Sequence, residues 1–140
     1  EMSVEEQILL YSITGGVPAY LQYFNSKLSI QDNIYHLFFQ ENGAFYRLVP
    51  ARTREYYSAS SVMRSILLSM GQENKKLQEI CDYTGLTPSA ASSLLLSLSS
   101  HNLAERMVPV TEEQSSRRAV YFISDSVFRF WYTYARGNCF

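Results

Sequence analysis

Cysteine and histidine are scarce in this 140-residue chain, which contains two of each. Cys81 and Cys139 lie far apart, so their spacing indicates neither a disulfide framework nor a zinc knuckle. His36 and His101 fall in different segments, and the HExxH pattern of zinc proteases does not occur. The sequence therefore predicts no metal centre, and its low cysteine content is typical of the reducing cytoplasm, where we expect the protein.

Long apolar runs and a charge excess of one sign are also missing. No run approaches the roughly 18 apolar residues that a transmembrane helix needs, and no signal peptide is visible. Twelve basic and 13 acidic residues give a net charge of −1, which predicts no global attraction to nucleic acid or to an anionic membrane. A hydrophobic content of 46% can nevertheless form the core of one domain or of two small ones.

The sequence also lacks the common catalytic motifs. A complete P-loop, GxxxxGK[ST], is absent, as is the GxSxG pattern of a nucleophile elbow. The acidic pairs Glu5/Glu6 and Glu112/Glu113 are adjacent in sequence, so on a helix their carboxylates would diverge. We therefore expect no catalytic residues within this chain.

The first third of the chain predicts a helical block, residues 1–54, with no strand signal. Ser3 is placed to cap the first helix, and Glu5 and Glu6 suit its first turn. Apolar residues at helical spacing indicate further helices. The predicted helices are Val4–Thr14, Pro18–Phe24, Ile30–Gln40 and a turn or two from Ala44 to Val49 that ends before Pro50.

Residues 55–124 predict a winged helix-turn-helix domain. A stripe of apolar residues is followed by a short helix, a turn containing Gly85, and a longer helix that begins at Thr87-Pro88. Two strand-like segments come next, on either side of a polar tip. The predicted elements are a helix around Val62–Met70, a short helix from Lys75 to Gly85, the helix after Thr87, and strands within Leu103–Val110 and Arg118–Ser124.

Residues 125–140 predict an aromatic helix that leads into a missing C-terminal region. Asp125 is in position to cap it. The side chains of Phe128, Phe130, Trp131 and Tyr132 cannot all face one side of a helix, so some must meet the helical block or a partner. The predicted fold is thus mainly α with a small β-hairpin, a helical block being followed by a winged helix-turn-helix domain.

Whether this winged helix binds DNA remains open from the residues. No charged residue occurs from Tyr83 through Ala104, and Leu96 would occupy the middle of the outward face of the third helix. This neutral face favours contact with protein over reading of bases. Basic residues at the edges favour non-specific contact with phosphate instead. The candidate nucleic-acid-binding residues are Lys75, Lys76, Ser89, Ser92, Arg106, Arg117 and Arg118.

The stretch "TGGVPAYL" (14–21) ends one predicted helix and starts another. Glycine permits left-handed backbone and close approach, and proline suits the first turn of a helix. A helix start with free N–H groups can be a simple corner or a place that holds an anion or nucleotide. The residues by themselves favour the simple corner, with Tyr20 and Leu21 in the core.

Two motifs together resemble a known family. "SITGGVPAYL" (12–21) and "YFISDSVFRFWYTY" (121–134), with a winged helix between them, resemble the C-terminal part of archaeal and bacterial P-loop ATPases of the AAA+/STAND type. Members of that family carry GGxPxYL in the helical lid, then a winged helix, and then SDxxxRFWY. The resemblance covers nearly the whole chain.

The resemblance implies a function. The helical block would be a sensor 2-like lid, with Gly15, Gly16, Pro18 and Tyr20 near an ATP molecule. ATP and its Mg²⁺ would be held by the Walker motifs of a missing N-terminal ATPase core, and a nuclease-like region would follow the chain. The chain would couple the nucleotide state to a winged helix that contacts protein or DNA. The alternatives are a free-standing winged-helix regulator and a protein-interaction module.

Overall fold

The computed structural model describes residues 1–57, 60–111 and 117–136. Within these residues the chain is mainly helical, with eight α-helices and one three-stranded antiparallel sheet. The chain divides into two compact units. The first unit combines Glu1–Arg52 with the C-terminal residues from Ser126 onward, and the second unit is Thr53–Asp125.

Helix α1 spans Val4–Thr14, as predicted, because both of its ends are well specified. The Glu6 N–H donates to Ser3 Oγ at 3.1 Å, and the Ser3 N–H donates to Glu6 Oε2 at 2.8 Å. This reciprocal pair is a capping box, which satisfies two backbone donors at once. Gly15 ends the helix in the left-handed conformation.

The next two helices of the first unit are shorter than predicted. Helix α2 spans Pro18–Leu21, whereas the apolar pattern predicted a helix continuing to Phe24. Helix α3 spans Ile30–Ile34 and continues as a π-helical stretch over Tyr35–Phe39, where the prediction was one regular helix. The buried Asn33 side chain connects the start of α3 to the preceding loop at Asn25.

Helix α4 spans Ala44–Tyr56 and contains Pro50, so the predicted end before Pro50 was wrong. The fixed φ of proline is compatible with a helix, although its ring removes one backbone donor. Burial of Phe45, Val49 and Thr53 on one face, at four-residue spacing, holds the helix together on both sides of the proline. Tertiary packing therefore outweighs the local helix-breaking tendency of this residue.

The aromatic helix packs within the first unit. Helix α8 spans Ser126–Phe130 and continues as a π-helical stretch over Trp131–Ala135, and α8 contacts α1. Phe130 lies 4.5 Å from Phe38, measured between ring centroids. The expectation that some aromatic residues meet the helical block is confirmed. The fully or almost fully buried side chains from this segment are Val127, Phe128, Trp131, Tyr132 and Ala135.

The second unit has the element order of a winged helix. Helix α5 (Ser60–Ser69) is followed by strand β1 (Lys75–Lys76), helix α6 (Leu77–Thr84), helix α7 (Pro88–Ser100), strand β2 (Ala104–Met107) and strand β3 (Val120–Ile123). The sheet order is β1-β3-β2, and all neighbouring strands are antiparallel. The helix-turn-helix pattern is confirmed: Thr87 Oγ1 accepts the Ala90 N–H, and Gly85 ends α6 in the left-handed conformation.

The sheet also differs from the prediction. The short helix begins at Leu77 with Lys76 as its N-cap. Lys75 and Lys76 form β1, which pairs with Tyr121 and Val120 of β3. Two residues are too few to give an alternating pattern, so the sequence carried no signal for this strand. The two predicted strands exist but are shorter, and most of the predicted polar tip, 112–116, lies outside the described residues. None of the described helices is long and apolar enough to span a membrane.

Candidate functional site

The glycine corner (residues 15–18) has a geometry that only glycine adopts readily. Gly15 and Gly16 have φ values of 64° and 72°, in the left-handed region. The Gly15 N–H donates to Tyr11 O at 2.7 Å, and the Gly16 N–H donates to Thr14 Oγ1 at 3.2 Å. The backbone therefore turns sharply between α1 and α2, with its own donors largely used inside the turn.

Neighbouring side chains approach this corner closely. A Cβ atom on Gly15 would lie 3.0 Å from Ser126 Oγ, at the start of α8. A Cβ atom on Gly16 would lie 2.9 Å from the ring of Tyr11. The space beside the two glycines is thus occupied on these two sides by the chain itself. Proximity to a nucleotide stays a prediction.

Pro18 and Tyr20 lie in the first turn of α2. Pro18 is exposed at the first helical position, after Val17, which provides no side-chain cap. The half-buried Tyr20 ring packs edge-on against Phe45, with centroids 5.7 Å apart and an interplanar angle of 89°. Such edge-to-face contacts stabilise aromatic pairs beyond simple burial. Tyr20 therefore connects the corner to α4.

The two neighbouring lysines of β1 have different surroundings. Lys75 Nζ forms an ion pair with Glu73, and this hydrogen bond raises the pKa of Lys75 and lowers the pKa of Glu73. Lys76 is exposed, and its backbone N–H donates to Glu79 Oε2 at 2.6 Å. The charge of Lys75 is thus matched by a neighbouring carboxylate.

Four predicted nucleic-acid-binding residues surround one depression, which we call the wing groove. Its volume is about 650 Å³. Lys76, Ser92, Arg106 and Arg117 line it, and no acidic residue of the described chain does. The remaining lining residues are Leu77, Gln78, Pro88, Ala119 and Tyr121. The other predicted residues do not line the groove. Ser89 and Arg118 are exposed and follow the lining residues Pro88 and Arg117, and Lys75 is ion-paired with Glu73.

The outward face of α7 is neutral, as the sequence predicts. Leu96 lies in the middle of this face with 73% of its surface exposed. A second, smaller depression between α7 and β2 is lined by Leu96 and Glu105, and it shares Ser92, Arg106 and Tyr121 with the wing groove. The polar residues of the exposed face are Ser89, Ser92, Ser93, Ser99 and Ser100.

The second unit contains a tyrosine–histidine cluster that no sequence pattern predicts. The Tyr56 ring stacks on His101 with centroids 4.5 Å apart, and Tyr57 Oη lies 3.0 Å from His101 Nδ1. The same nitrogen lies 3.0 Å from Ser97 O, at the end of α7. These residues are distant in sequence, and no motif joins them. Tyr121 of the wing groove was likewise seen only as part of a strand.

Comparison with known proteins gives a distant relative. The chain aligns over 134 residues, at 25% identity, with the uncharacterized protein MJECL04 of Methanocaldococcus jannaschii. The alignment covers 96% of this chain but only 30% of the length of that protein. No protein-family profile matches the chain, and no solved structure matches it significantly.

Proposed function

We propose that this chain is the C-terminal regulatory part of a longer, cytoplasmic P-loop ATPase of the AAA+/STAND type. In this proposal it couples ATP binding and hydrolysis in an N-terminal core to the winged helix. The observation that carries the proposal is the meeting of two motifs that are distant in sequence. Ser126 of the SDxxxRFWY motif lies against Gly15 of the GGxPxYL motif, within one compact unit.

The alignment with a longer protein agrees with this proposal. The match covers nearly all of this chain and less than a third of the relative, which leaves ample length for a nucleotide-binding core in such a protein. Among the described residues, no group of histidine, cysteine or acidic side chains is arranged to hold a metal ion. The sequence also has no GxxxxGK[ST] motif. In the proposed enzyme, the triphosphate and Mg²⁺ would therefore be held by the core, and the glycine corner would contact only another part of the nucleotide.

Helix α4 offers a route for coupling. At its start, Phe45 packs against Tyr20 of the GGxPxYL motif, inside the first unit. At its end, Tyr56 stacks on His101, which follows the last residue of α7 inside the second unit. A nucleotide that favours one arrangement of the glycine corner would bias α4, and α4 would bias the support of α7. Coupling of this kind requires that the nucleotide bind two arrangements with different affinity.

The test uses the full-length protein and variants of the glycine corner. Pro18→Ala and Gly16→Val are expected to weaken ATP affinity or to slow turnover. Because Gly16→Val also strains a left-handed backbone, Gly85→Val is the matched control: Gly85 has φ 74°, lies in the second unit, and leaves its Cβ position in open space. If both corner variants lower only the melting temperature and leave ATP affinity at the level of the control, the corner is architectural.

A free-standing winged-helix regulator is the second candidate, because cationic residues cluster around the wing groove. Sequencing of the complete gene distinguishes the two. An upstream reading frame with GxxxxGK[ST] supports the ATPase. A gene that begins at Met2 contradicts the ATPase proposal and favours the regulator.

A further inference from the structure

We propose that the wing groove binds the sugar-phosphate backbone of double-stranded DNA without reading its base sequence. This inference rests on the proposed function, since it names what the winged helix would contact as the output of the ATPase. It is carried by the second unit, however, and can be measured without ATP.

The wing groove is lined by cationic side chains. Lys76 lies in β1, opposite Val120 of β3, and Arg106 lies in β2, opposite Tyr121 of β3. Arg117 precedes β3. The groove thus receives three cationic residues from three places in the chain. A cationic groove attracts phosphate and releases the counterions condensed on DNA, which favours binding at low salt.

The described lining of the groove contains no carboxylate that would repel phosphate. Helix α7 has no charged residue along its length. The Glu79 carboxylate accepts the backbone N–H of Lys76, at the beginning of α6. Ser92 of α7 adds a hydroxyl of the kind that donates to phosphate oxygens. The chain as a whole is nearly neutral, so this clustering is local.

The exposed face of α7 lacks the side chains that read bases. Arginine, lysine, asparagine and glutamine make most specific contacts in the major groove of DNA, and α7 contains none of them. The exposed Leu96 occupies the centre of that face instead. Single-stranded nucleic acid is also disfavoured, because its binding needs several aromatic platforms. Tyr121 is the one aromatic residue among the described residues that line the groove, and it is half-buried.

The experiment measures fluorescence anisotropy of a short labelled random-sequence DNA duplex with this 140-residue protein, between about 20 and 200 mM salt. The variants are Lys76→Ala and Arg117→Ala. Lys75→Ala is the matched control, because it removes the same charge from the neighbouring position, where Lys75 is paired with Glu73. Circular dichroism and melting temperature establish that every variant is folded.

We expect the wild-type protein to bind the duplex at low salt, with an affinity that falls linearly with the logarithm of the salt concentration. Lys76→Ala and Arg117→Ala should each reduce the magnitude of that slope by about one, and Lys75→Ala should leave it unchanged. Duplexes of different base composition should bind equally within about threefold, since phosphates carry no sequence information.

Five results would overturn the inference. Two concern the duplex and the variants: no binding at the lowest salt, and an effect of Lys75→Ala on the salt slope equal to that of Lys76→Ala or Arg117→Ala. Three concern the ligand: a strong preference for one base sequence, tighter binding to single-stranded DNA or duplex RNA, and equally tight binding of polyglutamate with the same charge as the DNA duplex. The last result would indicate an acidic protein partner. None of these results would contradict the proposed ATPase function, because that function is tested by nucleotide binding at the glycine corner of the full-length protein.

Discussion

Tyr57 Oη lies 3.0 Å from His101 Nδ1, although the two residues are 44 positions apart. The contact joins Tyr57, which follows α4, to His101, which follows α7, within the second unit. Tyr57 is buried, and burial raises the pKa of its hydroxyl above the ordinary value of 10.0. The folded protein therefore holds this proton more tightly than the unfolded chain does.

This relationship predicts a stability difference that depends on pH. Because the pKa of Tyr57 is higher in the folded than in the unfolded protein, its protonated hydroxyl contributes fully to stability below about pH 10. That contribution is lost as pH rises through the pKa of Tyr57 in the folded protein. Tyr57→Phe should cost about 1 kcal/mol near neutral pH through the lost hydrogen bond. Above pH 10, the free energy of unfolding should fall more steeply for the wild type than for the variant. Urea denaturation at several pH values measures the loss near neutral pH and the dependence above pH 10. Tyr83→Phe, at an exposed tyrosine, is the control. If the unfolding free energies of the wild type and Tyr57→Phe changed in parallel above pH 10, the prediction would be contradicted.

Asn33 is predicted to be sensitive to truncation. Its amide nitrogen donates to the carbonyl oxygens of Asn25 and Ser29 at 3.0 and 2.9 Å, and its Oδ1 accepts the Asn25 N–H at 2.7 Å. Asn33→Ala removes these partners from a buried position and should destabilise the protein by about 2–3 kcal/mol. Gln31→Ala, on the exposed side of α3, is the control. Equal unfolding free energies for the two variants would show that the predicted penalty is wrong.

Gly43 is predicted to tolerate no side chain. A Cβ atom there would meet the backbone carbonyl of His36 and lie 2.5 Å from that of Leu37, in the π-helical stretch. Backbone cannot swing aside as a flexible side chain can, so Gly43→Ala should cost about 2–3 kcal/mol. A Cβ atom at Gly85 would lie in open space, so Gly85→Ala should lower the free energy of unfolding only through the strain of a left-handed backbone, by about 1–2 kcal/mol. Thermal denaturation ranks the two, and a smaller loss for Gly43→Ala would contradict this account.

Phe45 is predicted to be the main aromatic support of the first unit. Its ring is fully buried and lies 4.9–6.2 Å, between centroids, from the rings of Tyr20, Tyr23, Phe24 and Phe38. Phe45→Ala should destabilise the unit by about 3–5 kcal/mol. The fluorescence of Trp131, the single tryptophan, reports unfolding of this unit. Tyr134→Ala, at a side chain that is 64% exposed, should change the transition little.

The sequence predicts those features that are encoded locally. Ser3 with Glu6, and Thr87 with Pro88, specify helix starts through side chains within three or four positions of one another. The alternation of α6, turn and α7 follows from Gly85 and from the spacing of apolar residues. These signals are enough to predict a mainly helical fold with a helix-turn-helix and a hairpin.

The features that the sequence did not predict depend on tertiary contacts. Helix α4 continues through Pro50 because its buried face is held on both sides of that residue. Strand β1 consists of two residues and exists through its pairing with β3. The wing groove collects Lys76, Arg106 and Arg117 from separate segments, so their type was predictable from the sequence and their convergence was not.

The return of α8 to the first unit has a consequence for biosynthesis. Val127, Phe128 and Trp131 are buried in the first unit, and Phe130 packs against Phe38, yet these residues are synthesised after the entire second unit. The apolar surface of the N-terminal helices that α8 covers therefore stays exposed until the second unit has been synthesised. The N-terminal helices are thus synthesised first, but their apolar surface is covered last. A chain that ends before α8 would leave that surface open to aggregation and proteolysis.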